Sequence, residues 1–397
     1  MGPTDNTEKS KPLSKLRVGI IGYGGMGSFH ASYLSKGVVP DAELSAVCDV
    51  NPARLEAAKT AFGDKVQRFA DAEALFAAKA ADAVLIATPH YFHPPLVIAS
   101  LKHKVHPMSE KPAGVYTRQV REMNEAAAKS KCVFGVMFNQ RTRPVHIKLK
   151  ELIDSGELGT LRRSVWLITD WFRTQAYYDS GSWRATWAGE GGGVLINQCP
   201  HNLDLWQWYC GVPTRIRAFC GFGKYHRIEV EDDVTAYAEY ENGATGVFVT
   251  TTGEAPGTNR LEITGDRGKV VLEDNHIRFW RSTVSVEKFL NTCQGGFDRP
   301  ECWTCDVPSA NPGPEHEVVT RRWVEAIVKG TPLVAGGEEG IKSLQISNAM
   351  LLSAWTDAWV DIPVDEDLFF RHLQKRIAKS KAGKKAGGRV MDVNGTF

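Results

Sequence analysis

The stretch Gly22-Tyr23-Gly24-Gly25-Met26-Gly27 restricts the fold more than any other part of the chain. It follows a compact apolar run at residues 16–21 and opens a segment of helical patterning that reaches residue 36. Gly-x-Gly-x-x-Gly between strand and helix has a physical purpose. The first glycine permits the tight turn, the second lets a pyrophosphate approach the backbone, and the third lets the helix pack closely on the strand. The phosphates then face the free N–H groups and the positive dipole end of the helix. Such a turn wants an acid at the end of the next strand for the adenosine ribose hydroxyls. Asp49 stands there, 22 residues after Gly27.

The rest of the first half keeps the same rhythm. Strand-like runs at 43–48, 66–69, 82–87, 105–108 and 132–137 alternate with helical stretches at 52–62, 93–101 and 117–129. That alternation predicts parallel βαβ units. After a connecting helix at 143–155 the pattern changes to extended runs at 161–169, 215–221, 234–240, 245–252, 260–264, 269–272 and 277–281. Turn pairs such as Asn242-Gly243 join several of them, as in antiparallel hairpins. Helical periodicity returns at 315–329 and 338–359. A chain of 397 residues exceeds one ordinary core. The expected fold is α/β: a Rossmann dinucleotide-binding domain at 16–138, then an α+β domain at 139–370 with an open, mainly antiparallel sheet. A flexible leader at 1–15 and a basic, flexible tail at 371–397 complete the division.

Charge and composition narrow the partners. The whole chain carries +2, but residues 371–397 hold eight basic side chains and one acid, so the body is mildly acidic. That argues against a nucleic-acid-binding core. Hydrophobic content of 43% and charged content of 24% are those of a soluble globular protein. No apolar run approaches the roughly 18 residues of a membrane span. The first 15 residues lack an apolar signal-peptide core, so a cytoplasmic location is expected. Eight scattered cysteines read as reduced thiols. Two weak metal patterns, His226 with the acids through Asp233 and Cys293 with Cys302 and Cys305, are better explained without an ion, and no metal is expected.

A second group of motifs carries the chemistry. Glu110-Lys111-Pro112 sets a lysine between an acid and a proline just after an apolar run, and proline biases Lys111 to extended backbone. Downstream, Gly191-Gly192-Gly193 leads to His201 and Asp204. With the glycine fingerprint, and with Ala87-Thr88-Pro89 followed by His93, these motifs resemble the glucose–fructose oxidoreductase/inositol dehydrogenase family (Gfo/Idh/MocA) over roughly residues 16–360. The resemblance implies hydride transfer to or from a nicotinamide on a sugar or polyol, with Lys111 and His201 catalytic. It also implies a C-terminal sheet that forms an oligomer interface, hence a homodimer or homotetramer. The family usually has an aspartate four residues before the histidine, where this chain has Asn197. On a helix beginning near residue 197, positions 197, 201 and 204 would share one face. Asn197 can orient a hydroxyl or the imidazole but supplies no charge. An aspartate at that position is expected to be tolerated.

The residues then sort into sets. The cofactor set is Gly22, Tyr23, Gly24, Gly25, Met26, Gly27, Asp49, Arg54, Thr88, Pro89, His93, Glu110, Lys111 and Asn139. Asp49 should repel a 2′-phosphate, which favours NAD over NADP, although Arg54 nearby softens the preference. The substrate set is Arg141, Trp171, Arg173, Tyr178, Trp183, Arg184, Asn197 and Asp204, since aromatic faces and charged or amide groups together suit a sugar ring. Oxidising a secondary alcohol needs a base for its proton and a positive group for the developing alkoxide. Histidine suits the first role and lysine the second, or a buried lysine of lowered pKa is itself the base. The expected activity is NAD-dependent oxidation of a ring hydroxyl of a sugar, glycoside or cyclic polyol to a ketone, or its reverse. Two alternatives stand beside it: a glycosidase acting by transient oxidation with retained NAD, and a non-catalytic NAD(H)-sensing protein.

Overall fold

Two sheets divide the chain in the computed structural model, which describes residues 15–380. The first comprises β1 (Leu16–Ile21), β2 (Ala42–Cys48), β3 (Gln67–Phe69), β4 (Ala83–Ile86), β5 (His106–Ser109) and β6 (Gly135–Val136). Its helices are α1 (Gly25–Ser35), α2 (Pro52–Phe62), α3 (Ala72–Ala77), α4 (His93–Lys102) and α5 (Thr117–Ala128). The strands are parallel in the order 3-2-1-4-5-6. All four residues of β4 are buried, as a strand covered on both faces requires. Asn51 starts α2 by accepting the Ala53 N–H at 2.9 Å, with Pro52 in the first turn. The strand expected at 132–137 shrinks to two residues. The Val133 N–H donates to the His106 ring at 2.8 Å instead of joining the ladder.

The second half opens with α6 (Pro144–Asp154), β7 (Leu161–Ile168), α7 (Gln175–Asp179) and α8 (Pro200–Cys210). Next come β8 (Arg215–Phe222), β9 (Glu231–Glu239), β10 (Thr245–Thr251), β11 (Asn259–Gly265), β12 (Gly268–Glu273), β13 (His276–Ser282), α9 (Val286–Thr292) and β14 (Cys302–Val307). The chain finishes with α10 (Glu315–Lys329), α11 (Gly340–Thr356), β15 (Val360–Asp361) and α12 (Glu366–Ile377). Nine strands form one open sheet in the order 14-13-12-11-7-10-9-8-15, antiparallel except where β7 meets β10. Alternation sets its faces: Ser164, Trp166 and Ile168 of β7 are buried under α8, while their neighbours are partly exposed.

Three features depart from the expected layout. Helix α10 packs back on the first half, placing Val319, Trp323 and Val324 in one core cluster with Val18, Leu34 and Met108. Lys329 also pairs with Asp41 at 2.7 Å. A boundary at residue 139 therefore leaves part of the first domain's cover in the second half of the chain. Strand β14 occupies the cysteine-bearing segment, and Cys302 and Cys305, three residues apart on a strand, point to opposite faces. Asp232 accepts the N–H groups of Lys224, Tyr225 and His226 and the His226 ring, which closes that loop into β9. Residues 371–377, expected in the flexible tail, continue α12, because Asp365 caps its start and Phe369 and Leu373 are buried. The expected leader, apart from Lys15, and residues 381–397 of the tail lie outside the described residues. No helix among the described residues is long and apolar enough to cross a membrane.

Candidate functional site

The carboxyl ends of β1 and β4, where the strand order reverses, form the cradle for a dinucleotide. Gly22 has φ +92°, and a Cβ there would lie 2.7 Å from the Ala87 carbonyl oxygen. A Cβ on Gly27 would lie 1.8 Å from the Gly22 carbonyl oxygen. Gly24 begins α1 without a side-chain cap, so Gly24 and Gly25 present backbone without side-chain bulk at the positive end of the helix, with Met26 next in its first turn. Asp49 is nearly buried and accepts the N–H groups of Tyr23 (2.7 Å) and Asn51 (2.8 Å), with Arg54 at 3.2 Å. Thr88 Oγ1 is buried without a hydrogen-bond partner. Pro89 leads into the turn that ends at His93, whose ring spans the carbonyls of Thr88 (2.8 Å) and Pro112 (2.7 Å). Asn139 donates to Glu315 at 2.7 Å and leaves its Oδ1 buried and unpartnered. A glycine cradle, an uncapped helix start, a carboxylate and orphaned polar atoms fit NAD.

Beside the cradle, β5 ends at Ser109 and runs into Glu110 and Lys111, and the Lys111–Pro112 peptide is cis. Burial alone would raise the Glu110 carboxyl, but the His30 hydrogen bond at 2.7 Å and nearby positive charge hold it at about 2. His30 is itself bonded to Tyr33, and Tyr33 to Thr320 of α10, each at 2.7 Å. Lys111 Nζ donates to the Asn197 carbonyl at 2.9 Å. Burial lowers the Lys111 pKa; Glu110 and Glu190 oppose that, whereas Arg184 and Arg173 add to it.

Asn197 lies before the helix rather than on it. Pro200 fits the first turn of α8 and not its interior, so residues 194–199 form a separate turn and Asn197 does not share a helical face with His201. Its side-chain amide donates to Glu190, a buried acid outside the motifs above. An aspartate at 197 would therefore face a second carboxylate. His201 is buried with Nδ1 unpartnered, and burial, then Lys111, keeps its pKa well below the ordinary histidine value. Phe138 meets its ring edge-on at 6.4 Å.

The remaining residues of the substrate set divide. Arg141 and Asp204 bind each other through two contacts of 2.7 Å; Arg141 also reaches Glu339 and lies over Phe138 and Trp208. Tyr178 is 2% exposed with its hydroxyl on Thr252, so it belongs to the core. Trp171 donates to Asn202 at 3.1 Å, and Arg173 stacks over both Trp171 and Tyr177. Arg184 lies over Tyr177 and Trp183, bonds the Tyr177 hydroxyl at 2.6 Å, and stands 3.8 Å from Glu190. Trp171, Arg173 and Asn202 also line a polar cavity of about 480 Å³ with Gln140 and Arg143. Glu190 and Asn202 were absent from the sequence-derived sets. A single acid set between glycines was the one signal for Glu190.

Comparison with known proteins agrees with this geometry. An oxidoreductase family model with an NAD-binding Rossmann fold matches residues 16–138, and a GFO/IDH/MocA C-terminal domain model matches 146–271. The chain is 25% identical over 349 residues to an inositol 2-dehydrogenase of Rhizobium meliloti, covering 85% of this chain and 96% of that protein. It is 30% identical over 248 residues to a D-glucoside 3-dehydrogenase of Escherichia coli, covering 58% of this chain and 68% of that one. Among solved structures, the WlbA dehydrogenase from Bordetella pertussis in complex with NADH and UDP-GlcNAcA superposes with a TM-score of 0.74. It shares 25% identity, over 88% of this chain and all of that one.

Proposed function

Because the chain belongs to the Gfo/Idh/MocA family of NAD-binding oxidoreductases, we propose that it oxidises a ring secondary hydroxyl of a sugar, glycoside or cyclic polyol to a ketone, or runs the reverse. One observation carries this most directly. Two nitrogen groups with unspent hydrogen-bonding capacity, Lys111 Nζ and His201 Nδ1, stand beside the glycine cradle. NAD, when bound, supplies the hydride acceptor. Gly22, Gly24 and the start of α1 hold its phosphates, and Asp49 takes the adenosine ribose hydroxyls. Lys111 lends positive charge to the developing alkoxide, or takes the hydroxyl proton when neutral, which its lowered pKa favours. His201, kept neutral by burial, has a ring nitrogen free to accept a proton or a hydroxyl hydrogen bond. Trp171 offers an indole face to C–H patches of a ring, with Arg173 and Asn202 at its edge.

The open sheet supports self-association. Phe219, Tyr237 and Trp359 sit together on its exposed side, and Phe219 is 62% exposed. A homodimer or homotetramer through this face is the proposed state, checked by light scattering. Eight unpaired thiols support a reducing, cytoplasmic setting. NADH absorbance over a panel of inositols, sugars and glycosides tests the activity. Net NADH with at least one of them is expected. Tight NAD binding without turnover of any would overturn the proposal, and sugar release without net NADH would favour the glycosidase alternative.

A further inference from the structure

Glu190 is 1% exposed and its place is fixed by the backbone around it. A Cβ on Gly189 would strike the Trp183 carbonyl at 2.3 Å, and one on Gly191 the Val115 side chain at 2.3 Å. The Thr186 carbonyl accepts the N–H groups of both Glu190 (2.9 Å) and Gly191 (3.1 Å). From that turn, Oε2 accepts the Ala185 N–H at 2.5 Å and Oε1 accepts the Asn197 side-chain amide. Arg184 stands at 3.8 Å. Each of these neighbours is a donor, so the surroundings are built for the anion. Asn197 is thereby held from two sides, by Lys111 at its backbone carbonyl and by Glu190 at its side chain. With its amide nitrogen committed to Glu190, Asn197 Oδ1 is left to accept from a substrate hydroxyl.

We propose that Glu190 is the buried anion of the reaction centre: a positioning residue that orients the Asn197 amide by direct hydrogen bond and stands as counter-charge to Lys111. This rests on the dehydrogenase activity proposed above. Arg184 approaches Oε1, the same oxygen that accepts the Asn197 amide, but at 3.8 Å it adds charge without a hydrogen bond, which leaves Asn197 as the side chain that Oε1 orients. The charged and titratable groups around Glu190 are Arg184 on its own loop, Lys111 just past the end of β5, Glu231 behind the triple glycine, and His90, whose ring meets the Glu190 carbonyl at 3.1 Å. Burial, the largest effect, raises the Glu190 carboxyl above its ordinary value, and Glu231 adds to that; Arg184, the Ala185 and Asn197 hydrogen bonds and Lys111 work the other way and favour the anion.

The test is full-length Glu190→Gln on whichever substrate the panel turns over. Expected are NAD affinity within about twofold of wild type, kcat down about 100-fold, and KM within about threefold. A second readout needs no substrate: the pH dependence of Lys111 labelling by trinitrobenzenesulfonate, read by peptide mass spectrometry, moves to lower pH when the anion is removed. The double variant Glu190→Gln/Asn197→Asp, which returns a carboxylate one hydrogen bond away, recovers at least about tenfold of the lost kcat. Unchanged kcat and labelling in Glu190→Gln would overturn the proposal, as would a double variant no better than the single. Should Glu190→Gln fail to bind NAD, Asn197→Asp alone decides: two facing carboxylates move Lys111 labelling to higher pH, and an unmoved profile overturns the proposal. A wild type that turns over no panel member removes the proposed substrate class, while the labelling shift still decides the role of Glu190.

Discussion

Arg141, buried, and Lys111, partly buried, are both basic and both reach toward the segment around α8, yet their surroundings differ sharply. Arg141 is closed: Asp204 takes it twice, Glu339 takes another N–H, and Phe138 and Trp208 cover its faces. Asp204 in turn accepts from Gln207 at 3.1 Å, so little capacity is left over. Lys111 Nζ makes one bond, to a carbonyl, and nearby His201 keeps Nδ1 buried without a partner. A satisfied charge cluster specifies structure, because removing one partner strands the other in low dielectric. An unsatisfied one spends stability to keep groups available for a ligand. Lys111 was singled out by the Glu110-Lys111-Pro112 motif and Arg141 by its place in the substrate set, and their partners now separate them.

The contrast breaks most visibly at Lys111. Lys111→Met is expected to lower kcat about 1000-fold while NAD affinity and the unfolding midpoint stay close to wild type, by steady-state assay and calorimetry. At the closed cluster the signature reverses. Arg141→Met leaves Asp204 buried and unpaired, and is expected to cost about 3–5 kcal/mol in denaturant unfolding while turnover per folded molecule changes little. Behind that cluster, His146 is bonded to the Tyr209 hydroxyl at 2.8 Å, and burial followed by Arg143 pushes its pKa down to about 3. The folded chain therefore takes up no proton at His146 between pH 6.5 and about 3, whereas the unfolded chain does. This contribution to stability is complete above 6.5 and is lost on acidification through that window, by about 1.4 kcal/mol per pH unit; His146→Gln should flatten the slope. The smallest effect belongs to Tyr178. Removing its bond to Thr252 in Tyr178→Phe should cost about 1 kcal/mol and leave KM unchanged, whereas a large rise in KM would move Tyr178 back into the substrate site.

How much was legible in the sequence follows the same divide. Gly22 and Gly27 announced the cradle because their role is local: backbone contacts that no Cβ allows, at fixed spacing after an apolar strand. The strand alternation gave both sheets for the same reason, since periodicity is a property of neighbours in the chain. The pairing of Arg141 with Asp204 could not be read because it joins residues 63 apart, which no local pattern encodes. Asn197 was drawn onto the helix although Pro200 marks where that helix begins. Glu190 carried no periodic or motif signal, and its meaning lies in Asn197 and Arg184 meeting it across the fold. Helix α12 was hidden by a basic composition that suggested a tail, while Phe369 and Leu373 bury its other face.

The central claim is that Lys111 belongs to the chemistry and Arg141 to the structure. It is tested most directly by measuring unfolding free energy and NADH turnover on the same preparations of Lys111→Met and Arg141→Met. Opposite signatures are expected: turnover lost with stability kept for Lys111→Met, and stability lost with turnover per folded molecule kept for Arg141→Met. A Lys111→Met protein that still turns over substrate at the wild-type rate would contradict the account.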